Sequence, residues 1–110
     1  MPRKVVQLNL RRIPAHTNKL QAIEALQVFE EWEVLGAQEP GLWSMEEVEE
    51  VHEAGYRTFF SEGNMVDRQW GALVVVKDGW HQRVISSWAT KDTVMLALDT
   101  TDGTLAISSS

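Results

Sequence analysis

The chain has 110 residues, a length that suits one domain with a modest core, and it contains no cysteine. The lack of cysteine excludes a disulfide scaffold and zinc sites built from thiolates. A net charge of −6 argues against a self-sufficient nucleic-acid clamp, because phosphate binding normally needs a basic surface. No apolar stretch is long enough to span a membrane or to form a signal peptide, so we expect an intracellular location.

The first part of the chain has the pattern of a βαβ unit, in which two short apolar runs flank a segment with helical periodicity. Residues 5–10 are rich in Val and Leu and predict a buried strand. Thr17 is a suitable N-cap for a helix over about residues 18–32. The apolar residues expected to face the core from this helix are Leu20, Ile23, Leu26 and Phe29. Residues 33–38 predict the second strand, which ends at Glu39-Pro40-Gly41.

The crossover of a βαβ unit brings the ends of its two parallel strands to the same edge of the sheet. Asn9 lies at the end of the first strand and Glu39 at the end of the second. Carboxylate and carboxamide oxygens are ligands that a hard cation such as Mg²⁺ prefers. The sequence therefore predicts that these two side chains lie on the order of 4–8 Å apart, so that both reach one cation.

The rest of the chain predicts one more helix followed by strands. Ser44 and Glu47 form a capping-box pattern, and the helix that follows should stop at Gly55. The predicted strands cover residues 56–60, 70–77, 80–88, 93–98 and 104–109. A polar loop is expected at residues 61–69, and Lys77-Asp78-Gly79 predicts a hairpin turn. The sequence thus predicts an α+β domain with a mixed β-sheet and two helices on one face.

Several short motifs, in this order of elements, resemble those of a known superfamily. They are Leu-Asn-Leu-Arg at 8–11, Leu-Gly-Ala-Gln-Glu-Pro at 35–40 and Gly-Ala-Leu-Val-Val-Val-Lys at 71–77. These segments resemble the first half of the endonuclease/exonuclease/phosphatase superfamily, which includes DNase I and the abasic-site endonucleases. Within it, they look most similar to the endonuclease domains of non-LTR retrotransposons. The resemblance implies half of a DNase I-like α/β/β/α sandwich.

The resemblance also implies roles for three residues and a cofactor. It makes Asn9 a catalytic-site residue, Glu39 a ligand of Mg²⁺ or Mn²⁺, and Arg11 a contact to phosphate. The abasic-endonuclease branch has an acidic residue at the position of Arg11, so this last role belongs to the DNase I branch alone. The implied partner is nucleic acid, with DNA favoured over RNA, and the implied reaction is hydrolysis of a phosphodiester.

The family's later motifs, which hold the catalytic tyrosine, an Asp-x-Asn pair and a terminal Asp-His pair, would follow Ser110. Residues 1–110 are therefore expected to form a single, incomplete domain, the N-terminal part of an endonuclease that is inactive alone. A domain that lacks its second half should expose an apolar sheet face and self-associate through it.

Plainer interpretations remain open for each site residue. Glu39 would then only end a strand, Asn9 would form an Asx-turn, and Arg11 would lie in a solvated loop. The competing function is a small α+β protein-interaction module whose acidic helix, over residues 45–53, meets a basic partner. Whether the substrate is DNA, RNA or a small phosphoester is also left open.

Overall fold

A computed structural model of the protein describes residues 4–11, 13–14, 16–41, 43–62, 71–80, 83–100 and 103–109. Within these residues the elements are β1 (Val5–Asn9), α1 (Lys19–Glu30), β2 (Val34–Gln38), α2 (Met45–Glu53), β3 (Tyr56–Phe60), β4 (Ala72–Lys77), β5 (Val84–Ala89), β6 (Val94–Thr100) and β7 (Gly103–Ser109). The predicted α+β class is confirmed. Most of the loop predicted at 61–69 lies outside the described residues, as does the start of the strand predicted at 70–77.

The first sheet has four strands in the order β1-β2-β4-β3. β1 and β2 are parallel, while β4 runs antiparallel to both of its neighbours. The sheet is therefore mixed, as predicted. The helix α1 connects the two parallel strands, so the predicted βαβ crossover is confirmed.

The strands β5, β6 and β7 form a separate antiparallel sheet, whereas the sequence predicts one mixed sheet. The prediction of a hairpin at Lys77-Asp78-Gly79 is wrong for the same reason, because β4 and β5 do not pair. The backbone N–H of Lys77 donates to Glu33 O at 2.9 Å, and that of Asp78 donates to Gly55 O at 2.7 Å. These bonds hold the end of β4 to the first sheet, and a turn at residues 78–80 follows them.

Three layers result, with the helices on one face of the first sheet and the second sheet on the other. The core between the helices and the first sheet contains Ile23, Trp32, Leu35, Ala37, Trp43, Val51, Tyr56, Leu73 and Val75. The core between the two sheets contains Val34, Ala72, Val74, Val76, Val94, Leu96, Leu98 and Ile107. Because strands β2 and β4 supply residues to both cores, they are almost continuously apolar instead of alternating.

The helix α1 differs from its prediction at both ends. Asn18, and not Thr17, is the N-cap, since its side chain accepts a hydrogen bond from the N–H of Gln21 at 3.0 Å. Phe29 was predicted to face the core but is 83% exposed. Residues spaced three apart drift by about 60° per step around a helix, so the fourth member of the series leaves the buried face. Trp32, which follows the helix, is buried in its place.

Hydrogen bonds from the side chains of Gln7 and Ser109 join the second sheet to the first. The side-chain amide of Gln7 in β1 donates to Ser108 O at 3.1 Å, and the hydroxyl of Ser109 donates to Ala37 O at 2.9 Å. A Cβ built on Gly36 would collide with the carboxamide of Gln7. Because Gly36 has no side chain, the side chain of Gln7 can pass over β2 and reach β7.

Candidate functional site

The predicted site residues lie at the same edge of the first sheet. In the parallel register of β1 and β2, Asn9 is paired with Gln38, the residue before Glu39. The N–H of Leu10 donates to Gln38 O at 2.9 Å, so the pairing continues to the last residue of both strands. Neighbouring strands lie about 4.8 Å apart, which makes the two strand ends close neighbours. The fold thus brings together the chain segments of Asn9 and Glu39.

The backbone turns sharply at this edge, at Gly41 with a φ of 84° and also at residues other than glycine. Arg11 has a φ of 53° and Glu39 a φ of 50°, both in the left-handed region. Among the described residues, Glu31 is the remaining non-glycine residue with positive φ. Such conformations are strained for residues with a Cβ, and they cluster at functional sites. Both strands that carry the predicted site residues therefore end in this strained conformation.

Asn9 forms the Asx-turn that the sequence offers as its alternative role. Its Oδ1 accepts a hydrogen bond from the N–H of Arg11 at 2.8 Å. This bond fixes the side chain of Asn9 against the backbone and helps to hold Arg11 in its left-handed conformation. The amide nitrogen of Asn9 makes no hydrogen bond to any other described residue. Because Asn9 is exposed, its two N–H donors face solvent or a ligand.

Trp43 supports the turn that contains Glu39, a role that the sequence analysis missed. The indole N–H of Trp43 donates to Pro40 O at 3.0 Å, and its ring packs edge-on against Phe60 with the centroids 5.4 Å apart. On the other side, the N–H of Glu39 donates to Gly71 O at 3.1 Å. A tryptophan closely following Pro-Gly is the sequence signal for this support, but the spacing alone does not give the contact.

Lys19 supports the loop that follows β1, and this is a second role that the sequence does not predict. Its ammonium is buried and donates to Pro14 O at 3.4 Å, to Thr17 O at 3.2 Å and to the carboxylate of Glu47 at 3.0 Å. Burial opposes ionisation of Glu47. The Ser44 N–H and the Lys19 ammonium outweigh that effect, so the pKa of Glu47 lies below its ordinary value. Helical periodicity does not predict the burial of Lys19, because the carboxylate that pairs with it comes from α2, 28 positions away along the chain.

The acidic groups at this edge fit a divalent cation only in part. Among the described residues, no group of three or more His, Cys, Asp or Glu side chains is placed to hold a metal ion. Mg²⁺ usually keeps several waters and takes one or two carboxylates plus substrate phosphates. Glu39, which is half-buried, fits the role of one such carboxylate. The remaining ligands would come from water, a phosphate or groups other than the described residues.

No protein family matches this chain, and no curated protein is similar enough to count as its relative. The resemblance to the endonuclease/exonuclease/phosphatase superfamily therefore rests on the short motifs alone. Within the described part of the chain, no helix combines the length and the apolar character needed to cross a membrane.

Proposed function

We propose that this chain is the N-terminal part of a divalent-metal-dependent phosphodiesterase that cleaves nucleic acid, DNA in preference to RNA. The observation that carries the proposal is the parallel register of β1 and β2, which brings the ends of both strands to one edge. The left-handed backbone at Arg11 and Glu39 supports it, because such strain is typical of functional positions. The motifs around these residues agree with the same superfamily.

Each residue at the edge has a role that its chemistry supports. The carboxylate of Glu39 would be one ligand of Mg²⁺ or Mn²⁺. Asn9, whose oxygen is bound to the Arg11 N–H, would donate from its amide nitrogen to a phosphate oxygen. The exposed guanidinium of Arg11 would contact a neighbouring phosphate oxygen, which arginine does well because its donors form a fork. The chemistry that a bound cation supplies is polarisation of the scissile phosphodiester.

Binding of Mn²⁺ tests the metal role directly. We expect titration followed by electron paramagnetic resonance to detect a weak site in the wild-type chain, and Glu39→Gln to weaken it by about tenfold, because the variant removes the charged ligand. Glu46→Gln is the matched control, since it removes an exposed carboxylate from α2 and should leave binding unchanged. Equal affinity in the wild type and Glu39→Gln would contradict the metal role of Glu39.

The phosphate contacts have their own test. Asn9→Ala and Arg11→Ala should weaken binding of a short single-stranded DNA in the presence of Mg²⁺, as measured by fluorescence anisotropy. Arg57→Ala removes an exposed cation of β3 and serves as the control. If all three variants bind DNA equally, Asn9 and Arg11 do not contact phosphate.

The second candidate function is a protein-interaction module, and the exposed face of α2 favours it. Its exposed residues are Met45, Glu46, Glu49, Glu50 and Glu53. The Ser44–Glu47 capping box fixes the start of this helix, so the acidic face is a preformed surface. Replacing Glu49 and Glu50 by lysine should abolish binding of a basic partner to this face and should not change the affinity for Mn²⁺.

A further inference from the structure

The C-terminal end of α1 exposes two large apolar side chains side by side. Val28 is 86% exposed and Phe29 is 83% exposed, although the same helix buries Ile23 completely. We call these two residues, together with the acidic groups Glu30 and Glu31 next to them, the Val28–Phe29 surface. Scattered single apolar residues on a surface need no explanation, but an adjacent pair of this exposure marks a candidate contact site.

Two depressions adjoin this pair. One, of about 710 Å³, is lined by Gln27, Val28, Glu31, Glu33 and Lys77. The other, of about 480 Å³, is lined by Lys4, Val28, Phe29, Glu30 and Glu31. Val28 and Glu31 belong to both, so the depressions meet at the end of the helix. Each therefore combines apolar contact area with carboxylates.

The charges around the pair are unequal. Lys4 is bound to Glu30 in an ion pair at 2.5 Å, which leaves that side neutral. Glu31 is exposed and its side chain makes no ion pair with a described residue, while Glu33 accepts a hydrogen bond from the indole of Trp80. Lys77 is the one cation among the described residues that line the larger depression. The residues that line the two depressions in the described part of the chain thus carry three carboxylates and two ammonium groups, an excess of one negative charge beside the exposed apolar area.

We propose that the Val28–Phe29 surface binds a basic peptide segment that carries an apolar side chain between Lys or Arg residues. The apolar side chain would pack against Val28 and Phe29, and a neighbouring cation would reach Glu31. A second copy seated on the same surface is the wrong occupant, because it would bring the exposed Glu31 carboxylates of the two copies together without a cation between them. The same acidic groups repel anionic membranes and nucleic acid.

This surface is separate from the candidate phosphodiesterase site. Lys4 precedes β1 and Glu33 precedes β2, whereas Asn9 and Glu39 lie at the other ends of those strands. A peptide at the Val28–Phe29 surface would therefore leave the Asn9–Glu39 edge free. Each site can fail its test without affecting the other.

The test uses a short synthetic peptide with one leucine between arginines, and a second peptide in which every arginine is replaced by glutamate. We expect the wild-type chain to bind the basic peptide and not the acidic one, as measured by fluorescence anisotropy. Binding should weaken as salt is added, because the charges are exposed and screened. Failure of the wild-type chain to bind the basic peptide would overturn the proposal.

Three variants locate the site. Phe29→Ser and Glu31→Lys should each weaken peptide binding by about tenfold, the loss expected on removing an important interface residue. Ile85→Ser is the matched control, because Ile85 is 59% exposed on β5, lines neither depression, and its removal should change nothing. Circular dichroism should confirm that the variants fold. An equal loss with Ile85→Ser would show that the peptide is not held at the Val28–Phe29 surface and would overturn the proposal.

Two further measurements exclude other occupants. Sedimentation of the wild type and Phe29→Ser compares self-association, which should be the same in both. Vesicles containing anionic lipid should bind neither chain. If Phe29→Ser abolishes self-association, the surface binds a second copy of the chain. If it abolishes vesicle binding, the surface binds a membrane. Either result would overturn the assignment to a basic peptide.

Discussion

At the scale of single residues, Lys19 is the clearest case of a side chain whose environment decides its role. Its ammonium is buried and would be costly without partners. Two backbone oxygens and the carboxylate of Glu47 offset that cost, and the carboxylate also closes the capping box of α2. One glutamate therefore caps a helix and neutralises a buried cation from another helix.

Replacing Glu47 by glutamine isolates the contact with Lys19, because glutamine also serves in a capping box. We expect Glu47→Gln to lower the free energy of unfolding by about 1–2 kcal/mol at neutral pH. The pKa of Glu47 is lowered in the folded chain, so its contribution is present above pH 4.5, the ordinary value, and is lost as pH falls through the folded pKa. Urea unfolding at several pH values should show the difference between wild type and variant shrinking in acid.

The variant Glu46→Gln provides the comparison, because Glu46 lies in the same first turn but is exposed. Glu46→Gln should lower the free energy of unfolding by less than about 0.5 kcal/mol, as is usual for surface positions. A difference between wild type and Glu47→Gln that stays constant from neutral to acidic pH would show that the charge of Glu47 does not stabilise the fold.

Sequence reasoning at this scale succeeds for local contacts and fails for distant ones. The capping box of Ser44 and Glu47 and the Asx-turn of Asn9 need only neighbouring residues, so the sequence predicts the first and offers the second as an alternative role. The contacts of Lys19 with Glu47 and of Gln7 with Ser108 join residues far apart in the chain. No local pattern marks these contacts, because each depends on how the elements pack.

At the scale of elements, the βαβ unit could be predicted because the rules for a crossover between parallel strands leave few alternatives. The separation of β5–β7 into a second sheet could not be predicted. A strand alternates its side chains in the same way whichever sheet it joins. What separates the sheets is the turn after Lys77 and the bonds that hold the end of β4. The edge that carries Asn9 and Glu39 was predictable, whereas Trp43 behind it was not.

A double-mutant cycle at Gly36 and Gln7 tests how the two sheets are joined. Gly36→Ala should lower the free energy of unfolding by about 1 kcal/mol, because the added Cβ displaces the Gln7 carboxamide from Ser108. In a Gln7→Ala background the same change should be neutral or stabilising, since glycine weakens a strand interior. Urea unfolding of the four chains should give a coupling energy of at least about 0.5 kcal/mol. If the effects of the two substitutions on the free energy of unfolding are additive, Gln7 does not occupy this space in solution.

At the scale of the whole molecule, the apolar face that remains uncovered belongs to the second sheet. Both faces of the first sheet are covered, one by the helices and one by β5–β7. Trp88 and Met95 are cross-strand partners, and they are 54% and 40% exposed. The expectation of an exposed sheet face therefore applies to β5 and β6, and self-association through that face stays a prediction.

Sedimentation velocity at increasing concentration tests this prediction. We expect the wild-type chain to associate and Met95→Lys to weaken the association, because a charge in an apolar contact is costly to bury. Met45→Lys introduces the same charge on α2 and should leave association unchanged. A wild-type chain that stays monomeric at all concentrations, or equal behaviour of the two variants, would contradict an interface on β5 and β6.

The bond between Gln7 and Ser108 spans 101 positions of the sequence, and Ser109 binds Ala37 in the same region. During synthesis on the ribosome, β1, α1 and β2 emerge long before β7 exists. Contacts between remote positions form slowly, because the intervening chain must first lose its freedom. The face of β1 and β2 that later meets the second sheet is therefore uncovered while the chain emerges, so we expect the nascent chain to depend most on chaperones in the interval before β7 is translated.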